Sequence, residues 1–196
     1  MQPRSSATRQ ALVRASVELI ANGGLAEAGL VNICKTAGVS RGALYHHFQS
    51  IAELVAEVHA QARERVLAMI EHSFAERDEA APVRFSVALG QALAADQLVR
   101  AGMLVSVDGT DGPPRLREEM LEQLHGRVAA ADPEAADQLL LADLAVVVTA
   151  GLESLGRTDA AWWAPERAER IWGRALAGSA ALAGSAAVPE GAVQQP

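Results

Sequence analysis

Side chains that can contact nucleic acid are concentrated in residues 31–50. Hydroxyl groups such as those of Thr36 and Ser40 can bond phosphates, and Arg41 lies early enough in a predicted helix to reach a guanine edge. Small residues beside it allow close approach, and a methyl group there can contact a thymine methyl. The predicted DNA-facing residues are Lys35, Thr36, Ser40, Arg41, Gly42, Ala43, Tyr45, His46 and His47.

Two adjacent histidines leave an alternative open within this set. His47 either bonds a phosphate from the flank of the helix or packs on a neighbouring helix. Cys34 is small enough to let two helices approach, and packing is favoured over nucleophilic catalysis. Its spacing to the histidines matches no standard zinc site, and the chain has neither a glycine-rich phosphate loop nor a His-Glu-x-x-His signature. We therefore expect no enzyme activity, no metal and no cofactor.

The elements that must position these side chains are two short helices joined by a tight turn. Gly38 can adopt the left-handed backbone that ends the first helix, and the Ser40 hydroxyl can cap the second. Apolar residues then fall where two crossed helices face each other: Ile33, Ala37, Val39, Leu44 and Phe48. This arrangement predicts a helix-turn-helix, whose second helix enters the DNA major groove.

Composition favours an all-α protein with a basic N-terminal part. Half of the 196 residues are apolar, alanine and leucine dominate, and the single cysteine rules out an internal disulfide. Residues 1–50 hold five basic side chains against two acidic ones, a net charge of +3, whereas the rest of the chain carries −10. There is no N-terminal signal segment, and the apolar run Leu144–Leu152 is too short to span a bilayer, so we expect a cytoplasmic protein.

Helical spacing organises the remaining chain into further helices. They are predicted over residues 8–21, 51–75, 83–95, 97–107, 115–131, 134–155 and 165–183, and residues 1–8 and 184–196 are expected to be disordered. Ser50 and Glu53 form a capping box for the long helix 51–75. Because that helix starts in the DNA-binding unit and ends in the body, we interpret it as a lever between the two. The predicted domains are residues 8–58, with the helix-turn-helix at 31–50, and residues 59–183 for ligand binding and dimerisation.

The predicted body has apolar side chains for both an internal cavity and a subunit interface. The candidate pocket residues, each of which has plain core packing as its alternative, are Met69, Phe74, Phe85, Leu89, Met103, Leu104, Val107, Met120, Leu124, Val147 and Trp163. Polar groups that could orient a ligand are Gln91, Ser106, Gln123 and Thr149. Two late helices are too apolar for a monomer surface and predict a dimer interface at Leu140, Leu144, Val147, Val148, Leu152, Ile171, Trp172 and Leu176.

Residues 37–48, Ala-Gly-Val-Ser-Arg-Gly-Ala-Leu-Tyr-His-His-Phe, resemble the recognition motif of the TetR family of bacterial transcriptional repressors. The close resemblance covers about residues 8–58. It implies an all-α homodimer of nine helices that binds a palindromic operator and leaves it when a small molecule enters the body. The segment Leu98–Leu104 followed by Pro113-Pro114 is also similar to the γ-butyrolactone receptors of streptomycetes. Many of these have a pocket tryptophan in the next helix, where this chain has none.

Two positions depart from the family pattern. The second helix usually begins with a threonine or serine cap, but Ala28-Gly29-Leu30 stands there. A lysine that contacts a phosphate often follows the serine at the start of the fourth helix, and here that residue is Ile51. Operator affinity is therefore expected to be modest, or to be supplied in part by Arg4 and Arg9. The prediction is a ligand-responsive repressor with a small apolar effector, and the alternative is a ligand- or protein-binding relative that has lost DNA recognition.

Overall fold

The computed structural model of the protein describes residues 3–76, 78–105, 115–131 and 136–186. Within these ranges the chain is all-α, as predicted, with no strand and two short 3-10 helices, Leu25–Glu27 and Ala160–Trp163. The helices are α1 Pro3–Gly23, α2 Leu30–Ala37, α3 Arg41–His47, α4 Ile51–Ser73, α5 Ala81–Ala95, α6 Gln97–Val105, α7 Leu116–Ala129, α8 Ala136–Gly156 and α9 Pro165–Ala186.

The turn between α2 and α3 has the predicted structure. Gly38 ends α2 with φ of 66° and ψ of 31°, a left-handed conformation that glycine adopts without a Cβ clash. Ser40 caps α3, where its Oγ accepts a hydrogen bond from the amide of Ala43 at 3.1 Å. Leu44 and Phe48 are fully buried on the inner side of α3. The exposed side of this short helix is therefore held in a fixed orientation.

Two hydrophobic clusters divide the helices, and α4 takes part in both. The N-terminal cluster contains residues of α1–α3 together with Leu54 and Val58 of α4. The body cluster begins one turn later on the same helix, at Ala62, and includes Val66 and Ile70. The predicted boundary at residue 58 therefore falls inside a continuous helix. This continuity is what the interpretation of α4 as a lever requires.

Helix α6 lies against both parts of the molecule. Its Ala101 and Val105 belong to the N-terminal cluster, whereas Met103 belongs to the body cluster. Gly102 faces Ala62 of α4 so closely that an added Cβ would overlap the alanine methyl group. Glycine at this position thus permits the close approach of α6 to the lever helix.

A buried polar network joins three helices of the body. Ser86 of α5 donates to the carbonyl of Pro82 at 3.0 Å, accepts from Trp172 Nε1 of α9 at 3.0 Å, and lies 2.9 Å from Thr149 Oγ1 of α8. All three side chains are almost completely buried. Because the network satisfies polar groups that cannot reach water, it fixes the relative positions of α5, α8 and α9.

The 3-10 helix Ala160–Trp163 is seated against two glycines. A Cβ on Gly90 of α5 would lie 2.8 Å from the Trp163 carbonyl oxygen, and a Cβ on Gly156 of α8 would overlap the Trp163 indole. Trp163 Nε1 also donates to the carbonyl of Glu153 at 3.4 Å. The two glycines therefore make the space in which the indole closes the end of the body.

Several predicted boundaries were wrong. Helix α1 begins at Pro3 rather than residue 8, because proline is compatible with a first turn and Ser5–Ala7 can continue it. Helix α9 continues to Ala186, so residues 184–186 are helical, while the rest of the predicted disordered tail lies outside the described residues. The predicted start of α8 at residue 134 and the end of α6 at 107 also fall outside them.

The length argument against a membrane span also needs correction. Within the described residues, the helical segment Asp137–Gly156 is long and apolar enough to cross a bilayer by length and composition alone. The sequence prediction considered only the uncharged run Leu144–Leu152, which is bounded by Asp143 and Glu153, and so underestimated the length of the apolar helix. A third of the segment is buried within the protein, and core helices of soluble proteins pass the same test.

Candidate nucleic-acid interface

The predicted DNA-facing side chains belong to α2, α3 and the turn between them, and most are exposed to solvent. None of the nine is buried, and only Ala43 and His47 are half-buried. Tyr45 is 53% exposed, so its ring and hydroxyl group are accessible to a partner. The rings of His46 and His47 meet edge to face with centroids 5.1 Å apart. The structure thus brings together the set that the sequence predicts, and Val31 adds an exposed apolar side chain that the sequence analysis missed.

The two departures from the family pattern have clear structural counterparts. Gly29 precedes α2, and no side chain caps the helix there. Ile51, the first residue of α4, is half-buried against the N-terminal cluster instead of extending towards solvent. At the same helix start, Ser50 Oγ accepts from the Glu53 amide at 3.1 Å, and Glu53 accepts from the Gln49 amide at 2.5 Å. The capping box is confirmed, with Gln49 as the second donor.

The Arg9 side chain is held by contacts with other side chains of the same chain. Its Nη2 donates to Glu57 Oε2 at 2.7 Å and its Nη1 to Glu57 Oε1 at 3.3 Å. Gln61 also donates to Glu57 Oε1, at 2.7 Å. These hydrogen bonds hold the pKa of Glu57 below its ordinary value, with the Arg9 bond as the largest cause, and raise the pKa of Arg9. The guanidinium further lies 4.9 Å from the centroid of the Phe48 ring. No local pattern in the sequence predicts the contact between Arg9 and Glu57, which are 48 positions apart.

The predicted pocket residues are distributed unevenly in the structure. Phe85, Leu89, Met103, Met120 and Leu124 are buried in the body cluster, and Met69, Phe74 and Trp163 pack against it. Leu104 instead packs against the N-terminal cluster. Val147 is 67% exposed, so its prediction as a pocket residue was wrong, because the buried side of α8 is formed by Ala142, Ala145, Thr149 and Leu152. Val107 and Ser106 lie outside the described residues.

A narrow crevice lies between α5, α8 and the 3-10 helix Ala160–Trp163. Its cavity volume is about 10 Å³, far below the roughly 300–1,000 Å³ typical of ligand pockets. Leu89, Leu93 and Leu152 supply apolar walls, while the polar wall is Ser86, Thr149 and Glu153. Of the polar groups predicted to orient a ligand, Thr149 lines it, whereas Gln91 and Gln123 are exposed.

Glu153 is a buried carboxylate that the sequence analysis missed. Its side chain is 1% exposed, and it accepts from Arg117 Nε of α7 at 2.9 Å and from Arg157 Nε at 2.9 Å. The two arginines neutralise a charge that would otherwise be costly to bury. The pairing with Arg157 is local, at four residues' separation, and an acidic residue in an apolar helix was the available signal.

The predicted dimer residues form a partly exposed apolar face. Leu140 and Val147 are 55% and 67% exposed, and Leu144, Val148, Ile171 and Leu176 are half-buried. Leu152 and Trp172 are buried within the chain, so neither lies on its surface. Trp172 is turned inwards by its hydrogen bond to Ser86. Leu139 and Leu155, which the sequence analysis did not name, extend the exposed face along α8.

Cys34 is buried in α2, in the N-terminal cluster, where packing accounts for its position. In the part of the chain that the structure describes, no group of three or more His, Cys, Asp or Glu side chains is placed to hold a metal ion.

The N-terminal part of the chain is similar in sequence to known proteins. Residues 12–58 match the profile of the bacterial regulatory proteins of the tetR family. A segment of 68 residues is 37% identical to the HTH-type transcriptional regulator UidR of Escherichia coli, covering 35% of this chain and 35% of UidR. The match therefore spans about a third of the length of these curated relatives.

Solved structures share the fold over most of the chain. CprB from Streptomyces coelicolor, in complex with its operator sequence, has a TM-score of 0.70 at 20% identity, covering 86% of each chain. A γ-butyrolactone receptor described as ArpA-like has a TM-score of 0.69 at 20% identity, again over 86% of each chain. A transcriptional regulator from Rhodococcus sp. Rha1 has a TM-score of 0.61 at 24% identity, covering 83% of this chain and 90% of its own. The predicted fold resemblance is confirmed.

Proposed function

We propose that the protein is a cytoplasmic, ligand-responsive transcriptional repressor that binds a palindromic operator as a homodimer. The match of residues 12–58 to the tetR-family profile supports this proposal. The observation that carries this proposal is the outer face of α2 and α3, where cationic, hydroxyl and aromatic side chains are exposed on a rigid support. Lys35 and Arg41 supply charge to the phosphates and base edges, and Ser40 and Thr36 supply hydroxyl groups. The helix is short, so a two-fold mate is needed to read a useful site.

Tyr45 tests the role of this face. In a gel-shift assay with the DNA upstream of the gene, we expect Tyr45→Ala to abolish binding without changing the mass of the dimer, because Tyr45 is exposed on α3 and stabilises no core. Tyr45→Phe keeps the ring and separates a hydroxyl contact from a stacking contact. Gln123→Ala, at an exposed position of α7, is the matched control and should bind normally. Full binding by Tyr45→Ala would exclude α3 as the recognition helix.

The position of α4 supports a mechanism by which a ligand would release the operator. A small apolar molecule that enters the body, next to the crevice behind Trp163, would shift α5 and α8 relative to α4. Because α4 continues into the N-terminal cluster, its tilt would change the separation of the two recognition helices in the dimer. Native mass spectrometry of protein purified from its own host tests this step: a co-purified small molecule whose removal strengthens operator binding is the expected result.

A second candidate is a ligand- or protein-binding relative that has lost DNA recognition. Gly29, which offers no side-chain cap for α2, and Ile51, which packs inwards where the family often has lysine, support it. Footprinting decides between the two candidates. Protection of a palindrome upstream of the gene supports the repressor, whereas a protein that binds a small molecule and protects no DNA supports the alternative.

A further inference from the structure

Arg9 contacts two elements that must keep a fixed angle for operator binding. Its guanidinium donates two hydrogen bonds, of 2.7 and 3.3 Å, to Glu57 in the second turn of α4. The same group lies 4.9 Å from the centre of the Phe48 ring. Phe48 is the residue that ends α3, with an extended backbone at φ of −137° and ψ of 129°. One planar cation on α1 thus bridges the end of the recognition helix and the start of the lever helix.

The partners of Arg9 are themselves fixed. Phe48 is 1% exposed in the N-terminal cluster, so its ring offers a rigid face for the cation. Glu57 accepts a third hydrogen bond, from Gln61 at 2.7 Å, and its side chain is 28% exposed. With both carboxylate oxygens of Glu57 occupied and its guanidinium carbon 4.9 Å from the ring centroid, Arg9 has a defined geometry that a lysine cannot reproduce.

We propose that Arg9 is a positioning residue that holds α3 at a fixed angle to α4 through Phe48 and Glu57, and that it is not a phosphate contact. This inference rests on the proposed function. It replaces the expectation that Arg9 compensates for the missing lysine at position 51 by binding the DNA backbone. A swing of α4 would pass to α3 through this contact, in addition to the peptide chain between the helices.

Salt dependence of operator binding distinguishes the two roles. For a positioning residue, Arg9→Gln and Glu57→Gln should each weaken operator binding by about tenfold, equivalent to about 1.4 kcal/mol, with the slope of log K against log salt unchanged. The double variant should be no weaker than Arg9→Gln alone, since that substitution already removes the contact with Glu57 as well as the one with Phe48. Arg9→Lys should resemble Arg9→Gln, because a lysine keeps the charge but loses the planar two-point contact.

A phosphate contact predicts different results and would overturn the proposal. Arg9→Gln would then reduce the magnitude of the slope by about 0.9 per subunit. Arg9→Lys would retain most of the affinity, and Glu57→Gln would strengthen binding by freeing the cation. A purely structural role would also overturn it: the variants would melt at lower temperature but bind normally where they are fully folded. Arg14→Gln, an exposed arginine on the same helix, is the control for loss of one charge.

Hydrogen exchange keeps the inference testable without DNA. In the free protein, Arg9→Gln and Glu57→Gln should accelerate amide exchange across residues 41–48 while the body helices remain unchanged. Unchanged exchange in this segment would overturn the proposal. If the wild-type protein binds no operator, the proposed function fails, and the exchange result alone then decides whether Arg9 positions α3.

Discussion

At the end of α8, the side chain of residue 156 would occupy the same space as the Trp163 indole, and glycine leaves that space free. The indole is held there by its hydrogen bond to the Glu153 carbonyl and by the close approach of its backbone to Gly90. The fit of the 3-10 helix Ala160–Trp163 therefore depends on two single residues that have no side chain.

We expect Gly156→Ala to destabilise the protein by about 1–3 kcal/mol, the usual effect of adding a methyl group to a packed site. Thermal unfolding measures this change directly. Gly126→Ala in α7 is the matched control, because a Cβ there meets nothing within 4 Å and alanine is the better helix former, with a gain of about 0.5–1 kcal/mol. Equal effects of the two substitutions would contradict the close fit around Trp163.

Residue-scale contacts between distant segments are also where sequence reasoning failed. Gly38, Ser40 and Ser50 were predicted correctly because capping and left-handed turns depend on residues within four positions. Trp172 was placed on the dimer face because its helix is apolar, yet its indole turns inwards to Ser86, 86 positions away. No local pattern reports such a partner, and the contact between Arg9 and Glu57 was missed for the same reason.

At the scale of elements, α4 is held to its neighbours by a row of arginine–carboxylate pairs. Arg9 of α1 binds Glu57, Arg63 binds Glu119 of α7 at 2.5 and 2.7 Å, and Arg65 binds Asp96 at the start of α6. Most of these groups are partly exposed, so each pair contributes little alone. Together they fix the rotation of the lever helix α4 about its own axis, relative to α1, α6 and α7.

Acid should weaken two of these contacts, Arg9–Glu57 and Arg63–Glu119. Hydrogen bonds from Arg9 and from Arg63 hold the pKa of Glu57 and of Glu119 below their ordinary values. A lowered carboxylate pKa stabilises the folded state above the ordinary value of about 4.3, and the stabilisation is lost as the pH falls through the lowered pKa. Urea unfolding as a function of pH should show this decline, and Glu57→Gln and Glu119→Gln should each flatten it. A profile that is identical in all three proteins would contradict the assignment.

The crossing of α6 and α4 can be tested by exchanging two residues. Gly102→Ala should destabilise the protein by about 1–3 kcal/mol, since the new methyl group would overlap Ala62. The double variant Gly102→Ala, Ala62→Gly moves the methyl group to the other helix and should recover part of this loss. Chemical denaturation of the three variants measures the coupling. Strictly additive effects would show that the two positions do not share one space.

Helix boundaries were predictable where a side-chain cap stands. They were less predictable at prolines, because α1 begins at Pro3 and α5 begins one residue before Pro82, both earlier than predicted. Helix α4 begins at Ile51 as predicted, because Ser50 and Glu53 form a capping box there. It ends at Ser73 rather than residue 75, in a stretch without a glycine to stop it. The apolar face of α8 was found from the sequence, but the direction of each side chain depends on how the helices pack.

At the scale of the whole molecule, the exposed apolar face of α8 indicates a surface that binds a partner. Leu139, Leu140, Val147 and Leu155 are all more than two-fifths exposed. We propose a second copy of the chain as that partner. The face contains one charged residue along its length, Asp143, which His125 of α7 approaches at 3.2 Å.

Val147→Glu should convert the dimer into a monomer, because it would place a charge in the centre of the buried face. Sedimentation velocity at several protein concentrations measures the change in mass. Gln123→Glu introduces the same charge at an exposed position of α7 and should leave the dimer intact. A dimer that survives Val147→Glu would exclude this face as the interface, and recovery of the wild-type chain in the membrane fraction would favour insertion of α8 into a bilayer instead.

The distribution of aromatic residues gives each part of the protein its own optical reporter. All three tryptophans, Trp162, Trp163 and Trp172, belong to the body, and the one tyrosine, Tyr45, stands on the recognition helix. Excitation at the red edge of the absorption band, where only indole absorbs, therefore observes the body alone. Trp163 at the crevice and Trp172 in the buried network would report the arrival of an effector, and Tyr45 emission would report contact with DNA. Effector entry and operator release can thus be timed separately on the unlabelled natural chain.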